Sequence, residues 1–452
     1  MFDTVTMPVW LLTLILLFAA VTFASHFLFP SVRWFLRRRM ERAVSRLNER
    51  LERPIEPFKL TRRTDTIQRL IYDPEVTHAV VEHARETGVR EDVAFEQAKR
   101  YAREIVPSFS AGLYFGFAIR AARFISNALY RVRLGYHAED ALTSIEPDAT
   151  VVFVMNHRSN MDYVLVTYLA AERSALSYAV GEWARIWPIS RLIRAMGAYF
   201  IRRRSRNALY RKVLARYVAM ATQNGVAQAM FPEGGLSLNG ALAAPRVGLL
   251  KYIVDGWDPE GHDVVFVPVA INYDRVLEDR VLMAADRSGE RRFAAPFGDI
   301  FRFWVKQLSL RIRGKFHRFG YAAVSFGAPV SLRASPKDPE VLASLLVDRI
   351  GDVVPVLPVP LVAAILLEQG PSTRAQIEKS YADRAAALPG AFVHIPRDDM
   401  AYAVETGLRM LLERGFITDD DGLFVPVPDE AQALSFYANS IVHLTARDAA
   451  AQ

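Results

Sequence analysis

The chain has no cysteine among its 452 residues. Disulfides and a cysteine nucleophile are therefore excluded, and any group transfer must be direct or use another nucleophile. Internal repeats and long low-complexity segments are absent too, so the length is read as two or three compact domains. No nearby group of histidines and carboxylates offers the three or four ligands that a metal site needs, and no metal or other cofactor is expected. Long apolar runs are scarce, which makes the one at the N-terminus informative.

That run covers residues 8–29 and holds no charged group if His26 is neutral. It is long enough for a helix to cross a bilayer, which needs about 20 apolar residues. Only Asp3 is charged ahead of it, whereas Arg33, Arg37, Arg38 and Arg39 follow directly. The positive-inside bias puts residue 33 onward on the cytoplasmic side of the cell (inner) membrane. A signal peptide would carry positive charge before the run and a small-residue cleavage site after it, and neither is present. A buried core helix or an interfacial hairpin is the alternative.

The formal net charge of +7 is unevenly spread. Residues 33–63 carry 11 Lys/Arg against 4 Asp/Glu, and residues 287–320 carry 9 against 2. The remainder is net acidic, so two basic patches call for an anionic partner, nucleic acid or anionic lipid. The apolar N-terminus favours lipid, and no nucleic acid partner is expected. Residues 301–319 interleave aromatic and basic residues, a pattern that suits a membrane interface, RNA, or a face packed on the core. The apolar stretch 109–124 is a further candidate for membrane contact, although Arg120 and Arg123 argue against its spanning.

The chemistry concentrates in Val151-Val-Phe-Val-Met-Asn-His-Arg-Ser-Asn-Met-Asp-Tyr-Val-Leu-Val166. This reads as a buried strand, a polar turn and the start of an apolar helix. His157 can take a proton near neutral pH, and Asp162 can fix its tautomer and orientation. On a straight α-helix, residues five apart diverge by about 140°, so the pair can meet only across a bend. A strand-to-helix junction supplies one. The spacing alone is weak evidence: His394/Asp399 and His443/Asp448 repeat it. Only the first pair follows a β-branched apolar run and opens a helix.

Three later segments add to it. Gly197-Ala-Tyr-Phe-Ile-Arg-Arg-Arg204 is a short strand ending in arginines, whose forks suit phosphate. Phe231-Pro-Glu-Gly-Gly-Leu-Ser237 is a strand end entering a glycine turn whose amides can approach a ligand. Val265-Phe-Val-Pro-Val-Ala-Ile-Asn-Tyr273 is another buried strand.

In this order and spacing the four segments resemble the motif blocks of the glycerolipid acyltransferases, most closely the membrane-bound bacterial glycerol-3-phosphate acyltransferases. Phe436-Tyr-Ala-Asn-Ser-Ile-Val-His-Leu444 resembles that family's C-terminal signature, and the resemblance runs over roughly 95–445. It implies His157 as general base and Asp162 as its partner in acyl transfer from acyl-CoA or acyl carrier protein to the sn-1 hydroxyl of glycerol-3-phosphate. It implies Arg202 as the phosphate ligand, supported by Arg203 or Arg158. Glu233 would bind glycerol hydroxyls or order its turn, the amides of Gly234 and Gly235 would hold the oxyanion, and Ser237 and Pro268 would line the substrate site. One departure stands out. Leu236, Leu238 and Ala241 occupy places where the family's third block carries arginine and further basic residues, and Arg246 is the next base. Lysophosphatidate and dihydroxyacetone phosphate therefore remain alternative acceptors, and a catalytically dead membrane-anchored lipid- or RNA-binding protein is the alternative class.

The middle of the chain alternates strand and helix signals: strands at 150–155, 175–180, 198–201, 226–231, 264–271 and 322–326, and helices at 160–172, 182–196 and 209–224. This predicts an α/β sheet of the glycerolipid-acyltransferase type with flanking helices. The His157, Arg202 and Glu233 turns then share one rim of the sheet. The expected organisation is a membrane anchor at 1–32, a helical region at 33–135, the α/β domain at 136–335 and a C-terminal helical domain at 336–452. Residues 370–428 have the rhythm of a winged helix, but 6 Lys/Arg against 9 Asp/Glu disfavour binding to DNA phosphate.

Overall fold

The structure, a computed structural model, describes residues 7–23, 35, 38–39, 42, 44–51, 53–170, 175–181, 189–202, 207–289, 318–388 and 390–445. The chain divides into two compact units, Met1–Ile55 and Glu56–Gln452.

The first unit contains the helix Val9–Phe23, none of whose residues is buried. Trp10 and Phe18 are among its most exposed side chains. At 15 residues it is about 22 Å long, short of a hydrocarbon core of about 30 Å. No helix among the described residues is long and apolar enough to cross a membrane. The expected spanning helix over 8–29 is not supported among the described residues, and residues 24–29 lie outside them.

The second unit is built on an eight-stranded mixed sheet. Its strands are β1 (Arg131–His137), β2 (Thr150–Met155), β3 (Ser177–Val180), β4 (Tyr199–Phe200), β5 (Gln228–Met230), β6 (Val264–Tyr273), β7 (Tyr321–Phe326) and β8 (Val330–Ser331). They lie in the order β1-β7-β6-β2-β5-β3-β4, and β8 pairs with β6. From β6 to β4 every pairing is parallel. β7 runs antiparallel to β6, and β1 runs parallel to β7.

β2 and the first eight residues of β6 read as β-branched and apolar runs because both of their faces are covered, and every residue of both strands is buried. Helix Ala208–Gln223 packs on Pro74–Thr87, Glu91–Ile105 and Gly248–Asp255, while Met161–Leu169 packs on Ile119–Leu129. Pro268 stands in central β6 without disrupting it. It sits where the partner of β6 changes from β8 to β7, and its carbonyl accepts from the Gly327 amide at 2.8 Å. In β-structure the N and O of one residue face the same side, so the missing N–H points into that gap.

The stretch 109–124 enters a helix that carries a π-helical turn, Tyr114–Ala118. One face buries Tyr114, Ala118, Ala122, Ser126 and Leu129, while Phe117 and Phe124 are exposed. It is a surface helix and does not span. The basic–aromatic segment 301–317 lies outside the described residues. Towards the C-terminus, helix Pro358–Gln369 packs on Met400–Glu413 and Ala431–Ala438. β9 (Ser372–Thr373), β10 (Ile417–Asp420) and β11 (Leu423–Pro426) form a small antiparallel sheet beside them, in the order expected of a winged helix.

Candidate active site

The parallel strands bring their C-terminal ends to one rim. Asn156, the first residue beyond β2, fastens the turn to β6. Its Nδ2 donates to the Ile271 carbonyl at 2.9 Å and its Oδ1 accepts from the Ile271 amide at 2.8 Å. The chain stays non-helical through Ser159, and helix Met161–Leu169 then begins, with Asp162 in its first turn. This bend brings the two side chains together: His157 Nδ1 lies 2.9 Å from Asp162 Oδ2. Both residues are buried, His157 at 1 % exposure.

Asp162 is a hub. Its Oδ2 also accepts from the amides of Arg158 (2.8 Å) and Ser159 (3.0 Å), and its Oδ1 accepts from the Tyr273 hydroxyl at 2.7 Å. The carboxylate thus holds the turn closed and fixes the imidazole. With Nδ1–H directed at the carboxylate, the basic lone pair of neutral His157 is on Nε2. The ring stacks on Phe231 with centroids 3.9 Å apart and planes 22° apart.

Glu233 ties the third motif to the first. Oε1 accepts from the His157 amide at 2.9 Å and Oε2 from the Ala243 amide at 3.2 Å, so the side chain orders the turn. Burial pushes its carboxyl up to about 7, against the pull of those amides and of Arg158. The Ser237 amide returns a bond to the His157 carbonyl at 2.9 Å. Its hydroxyl closes the loop locally, donating to Ala241 and accepting from Gly240.

The amide of Gly234 is taken by the Phe231 carbonyl at 3.1 Å. The buried amide of Gly235 has no hydrogen-bond partner among the described residues. Of the two sequence-predicted oxyanion donors, Gly235 is the one left available. Gly234 has φ +68°, and a Cβ there would stand 2.7 Å from Arg246 Cδ. Arg246 therefore crosses the glycine turn of the block that lacks its arginines, a placement its ten-residue separation from Leu236 does not announce.

Arg158 is buried on the His157 turn. Its Nη1 donates to the Gly240 carbonyl, its guanidinium lies 5.0 Å from the Phe436 ring centroid, and Nε and Nη2 have no partner among the described residues. Burial lowers its pKa, and Tyr437, Asp162 and Glu233 oppose that shift. Arg202 follows β4 at the sheet edge. It forms a two-pronged pair with Glu104 (2.8 and 2.6 Å) between Tyr101 and Tyr210. β4 is three strands from β2, so Arg202 starts about 14 Å from the His157 strand at ~4.8 Å per strand. Arg203 lies outside the described residues.

Sequence reasoning gave no role to Tyr273 or Glu278. Glu278 accepts from the Ser159 hydroxyl at 2.7 Å and the Asn160 amide at 3.2 Å, pinning the other end of the His157 turn, and burial raises its carboxyl. Tyr273 ends the fourth motif, so its place at the rim was readable; Glu278 carried no such signal.

Two family models cover most of the chain: Acyltransferase over residues 136–272 and Glycerol-3-phosphate acyltransferase C-terminal region over residues 306–452. Over these two segments the chain is similar to the glycerolipid acyltransferases. Among its relatives, the glycerol-3-phosphate acyltransferase of Shewanella loihica is 27% identical over 85% of this chain and 50% of its own length. That of Xanthomonas campestris is 26% identical over 90% and 48%. The chain thus spans about half the length of the curated relatives it matches. A solved 1-acyl-sn-glycerophosphate acyltransferase of Thermotoga maritima aligns with 52% of this chain and 75% of its own, at 18% identity and a TM-score of 0.33.

Proposed function

We propose that the chain transfers a fatty acyl group from a thioester, acyl-CoA or acyl carrier protein, to the sn-1 hydroxyl of glycerol-3-phosphate. The observation that carries this reading is the buried His157–Asp162 pair at the C-terminal rim of the sheet, within the matched acyltransferase segment. His157 Nε2 takes the acceptor's hydroxyl proton while the oxygen attacks the thioester carbonyl. Asp162 steadies the imidazolium that forms. The Gly235 amide donates to the oxyanion of the tetrahedral intermediate. On collapse the C–S bond breaks, and the thiolate leaves with the proton from His157. Arg202 and Arg203 hold the acceptor phosphate, and Arg158 adds buried positive charge on the same turn.

The exposed apolar helix Val9–Phe23 and the basic residues after it support attachment to anionic lipid. We place this surface at the cytoplasmic face of the cell membrane, where an acyl donor and its membrane-bound product would meet.

The test is an acyl-transfer assay of the purified full chain with both donors against glycerol-3-phosphate, dihydroxyacetone phosphate and lysophosphatidate. The expected result is a 1-acyl product from glycerol-3-phosphate at the highest kcat/KM. Preference for another acceptor would transfer the same chemistry to it, and no transfer with any pairing would remove the reading.

Tyr273→Phe probes the hub. It removes one donor from Asp162 Oδ1 and nothing that touches substrate. A hydrogen bond to a charged group contributes about 1.5–3 kcal/mol, so kcat should fall roughly 10- to 100-fold with both KM values little changed. A rise in acceptor KM at unchanged kcat would show that Tyr273 acts on binding instead.

A further inference from the structure

The rim opposite His157 holds a cavity of about 210 Å³. Among its lining residues are Lys59, Arg62, Arg63, Ser108 and Ser177, and no carboxylate among the described residues lines it. Ser177 opens β3 and Val226 precedes β5, so the cavity sits at the N-terminal ends of these parallel strands. Phe231, which stacks on His157, is five residues further along than Val226, about 16 Å at ~3.3 Å per residue. The two sites are therefore separate.

Among the described residues, no carboxylate pairs with the cations there. Lys59 Nζ donates to the Ala175 carbonyl and lies 4.6 Å from the centre of the Phe109 ring, but it has no carboxylate partner among the described residues. Arg63 uses Nε and Nη2 on the carbonyls of Val106 and Arg103. The Arg62 side chain makes no ion pair or hydrogen bond among the described residues. Arg103 and Arg194 add their positive fields at Arg63. Of the carboxylates nearest in sequence, Glu56 lies against Gly225 and Asp65 accepts from the Thr64 hydroxyl. Tyr217 also lines the cavity, and Tyr114 lies 5.9 Å from Lys59 Nζ; both phenols are raised by burial and neutral at ordinary pH. Burial without a partner drives Lys59 down to about 7.

Several cations and hydroxyls around a half-open cavity, with no acid among its described lining residues, are what an anion needs from a site. We propose that this cavity binds a tetrahedral oxyanion of the phosphate type, from a phosphorylated solute or a lipid phosphomonoester headgroup. The site is built into the fold. Gly197 of the second motif has φ +89°, and a Cβ there would stand 3.1 Å from Lys59 Cε. The amides of Ser108 and Ser110 bond to the carbonyls of Arg194 and Ala195 just ahead of β4. This inference needs no acyl transfer and stands or falls separately from it.

Sulfate is the first probe, because it does not titrate near neutrality. Calorimetry of the full chain, with sulfate exchanged for chloride at constant ionic strength, should show saturable binding. Bound anion raises the Lys59 pKa, so binding takes up a proton above about pH 7. Affinity should therefore be on the order of tenfold weaker at pH 8.5 than at pH 6.5. Lys59→Met should weaken binding at least about tenfold and flatten that pH slope. Arg62→Gln, an exposed change that spares folding, should weaken binding severalfold. A second sulfate, at the candidate active site, would be recognised by its loss in Arg202→Ala. Inorganic phosphate and phosphatidylcholine vesicles with or without phosphatidate then separate the sources: competition by phosphatidate assigns a headgroup, and competition by phosphate alone assigns a solute. No saturable sulfate binding, or binding unchanged in both Lys59→Met and Arg62→Gln, overturns the proposal.

Discussion

His157→Ala should lower acyl transfer by roughly 10²- to 10⁴-fold, the usual contribution of a positioned general base. Asp162→Asn should approach the upper figure. Oδ2 accepts from His157 Nδ1 and from two backbone amides, and an amide nitrogen in that place would confront three donors. The imidazole would lose its tautomer and its orientation, a change worth about 10⁴ where a triad carboxylate becomes an amide. His394→Ala and His443→Ala should leave kcat near that of the parent. His394 is buried against Tyr321 at 4.4 Å, and burial with the nearby Arg133 pushes its pKa down to about 4. Its spacing partner Asp399 instead caps helix Met400–Glu413 through the Tyr402 amide. His443 directs Nε2 at the Gly351 carbonyl, and Asp448 lies outside the described residues. Comparable loss of rate in all three histidine variants, with circular dichroism showing folded protein, would sink the assignment of His157 as the base.

The contrast among these pairs marks what was legible in the sequence. Three identical spacings were indistinguishable as spacings. What separated them was the β-branched run 150–155 before His157 and the apolar helix after it, which imply a strand end and a bend. The same signal located β2 at its observed bounds and β6 to within its last two residues. It failed for β1, whose sequence Arg-Val-Arg-Leu-Gly-Tyr-His mixes polar and apolar residues. That strand lies at the sheet edge, where neither face must be fully apolar. The N-terminal run is seen only in part: its helix is described over Val9–Phe23, and residues 24–29 lie outside the described residues.

Within the site, the legible residues act through neighbours in sequence. His157, Asp162 and the Gly234–Gly235 turn belong to this group. The roles that were not legible act across the sheet. Tyr273 reaches Asp162 from 111 positions away, and Glu278 reaches Ser159 from 119. Their roles follow from β6 lying beside β2, an order that no local pattern encodes. Glu233 is intermediate: the motif marked it, and the structure gives its two oxygens to the amides of His157 and Ala243.

Arg202 is the residue at which a local reading and a long-range contact compete, and paired variants separate them. An arginine fork after β4 reads as a phosphate ligand, yet in the structure it grips Glu104, 98 positions away. Arg202→Ala should raise the KM for a phosphorylated acceptor about 30-fold and leave the donor KM nearly unchanged. That is the lower end of the ~2–5 kcal/mol seen when one partner of a desolvated charge pair is truncated, because Arg202 is partly exposed. Glu104→Gln should act oppositely. It removes a carboxylate that competes for the fork and repels phosphate, so acceptor KM should stay level or fall, although the tie between helix Glu91–Ile105 and β4 weakens. If Glu104→Gln raises acceptor KM as much as Arg202→Ala does, the pair itself is what matters, and Arg202 works by fastening that helix to the sheet edge. If Arg202→Ala moves only the donor KM, the fork reads the phosphates of the thioester carrier, and Arg158 and Arg246 become the cations to test for the acceptor.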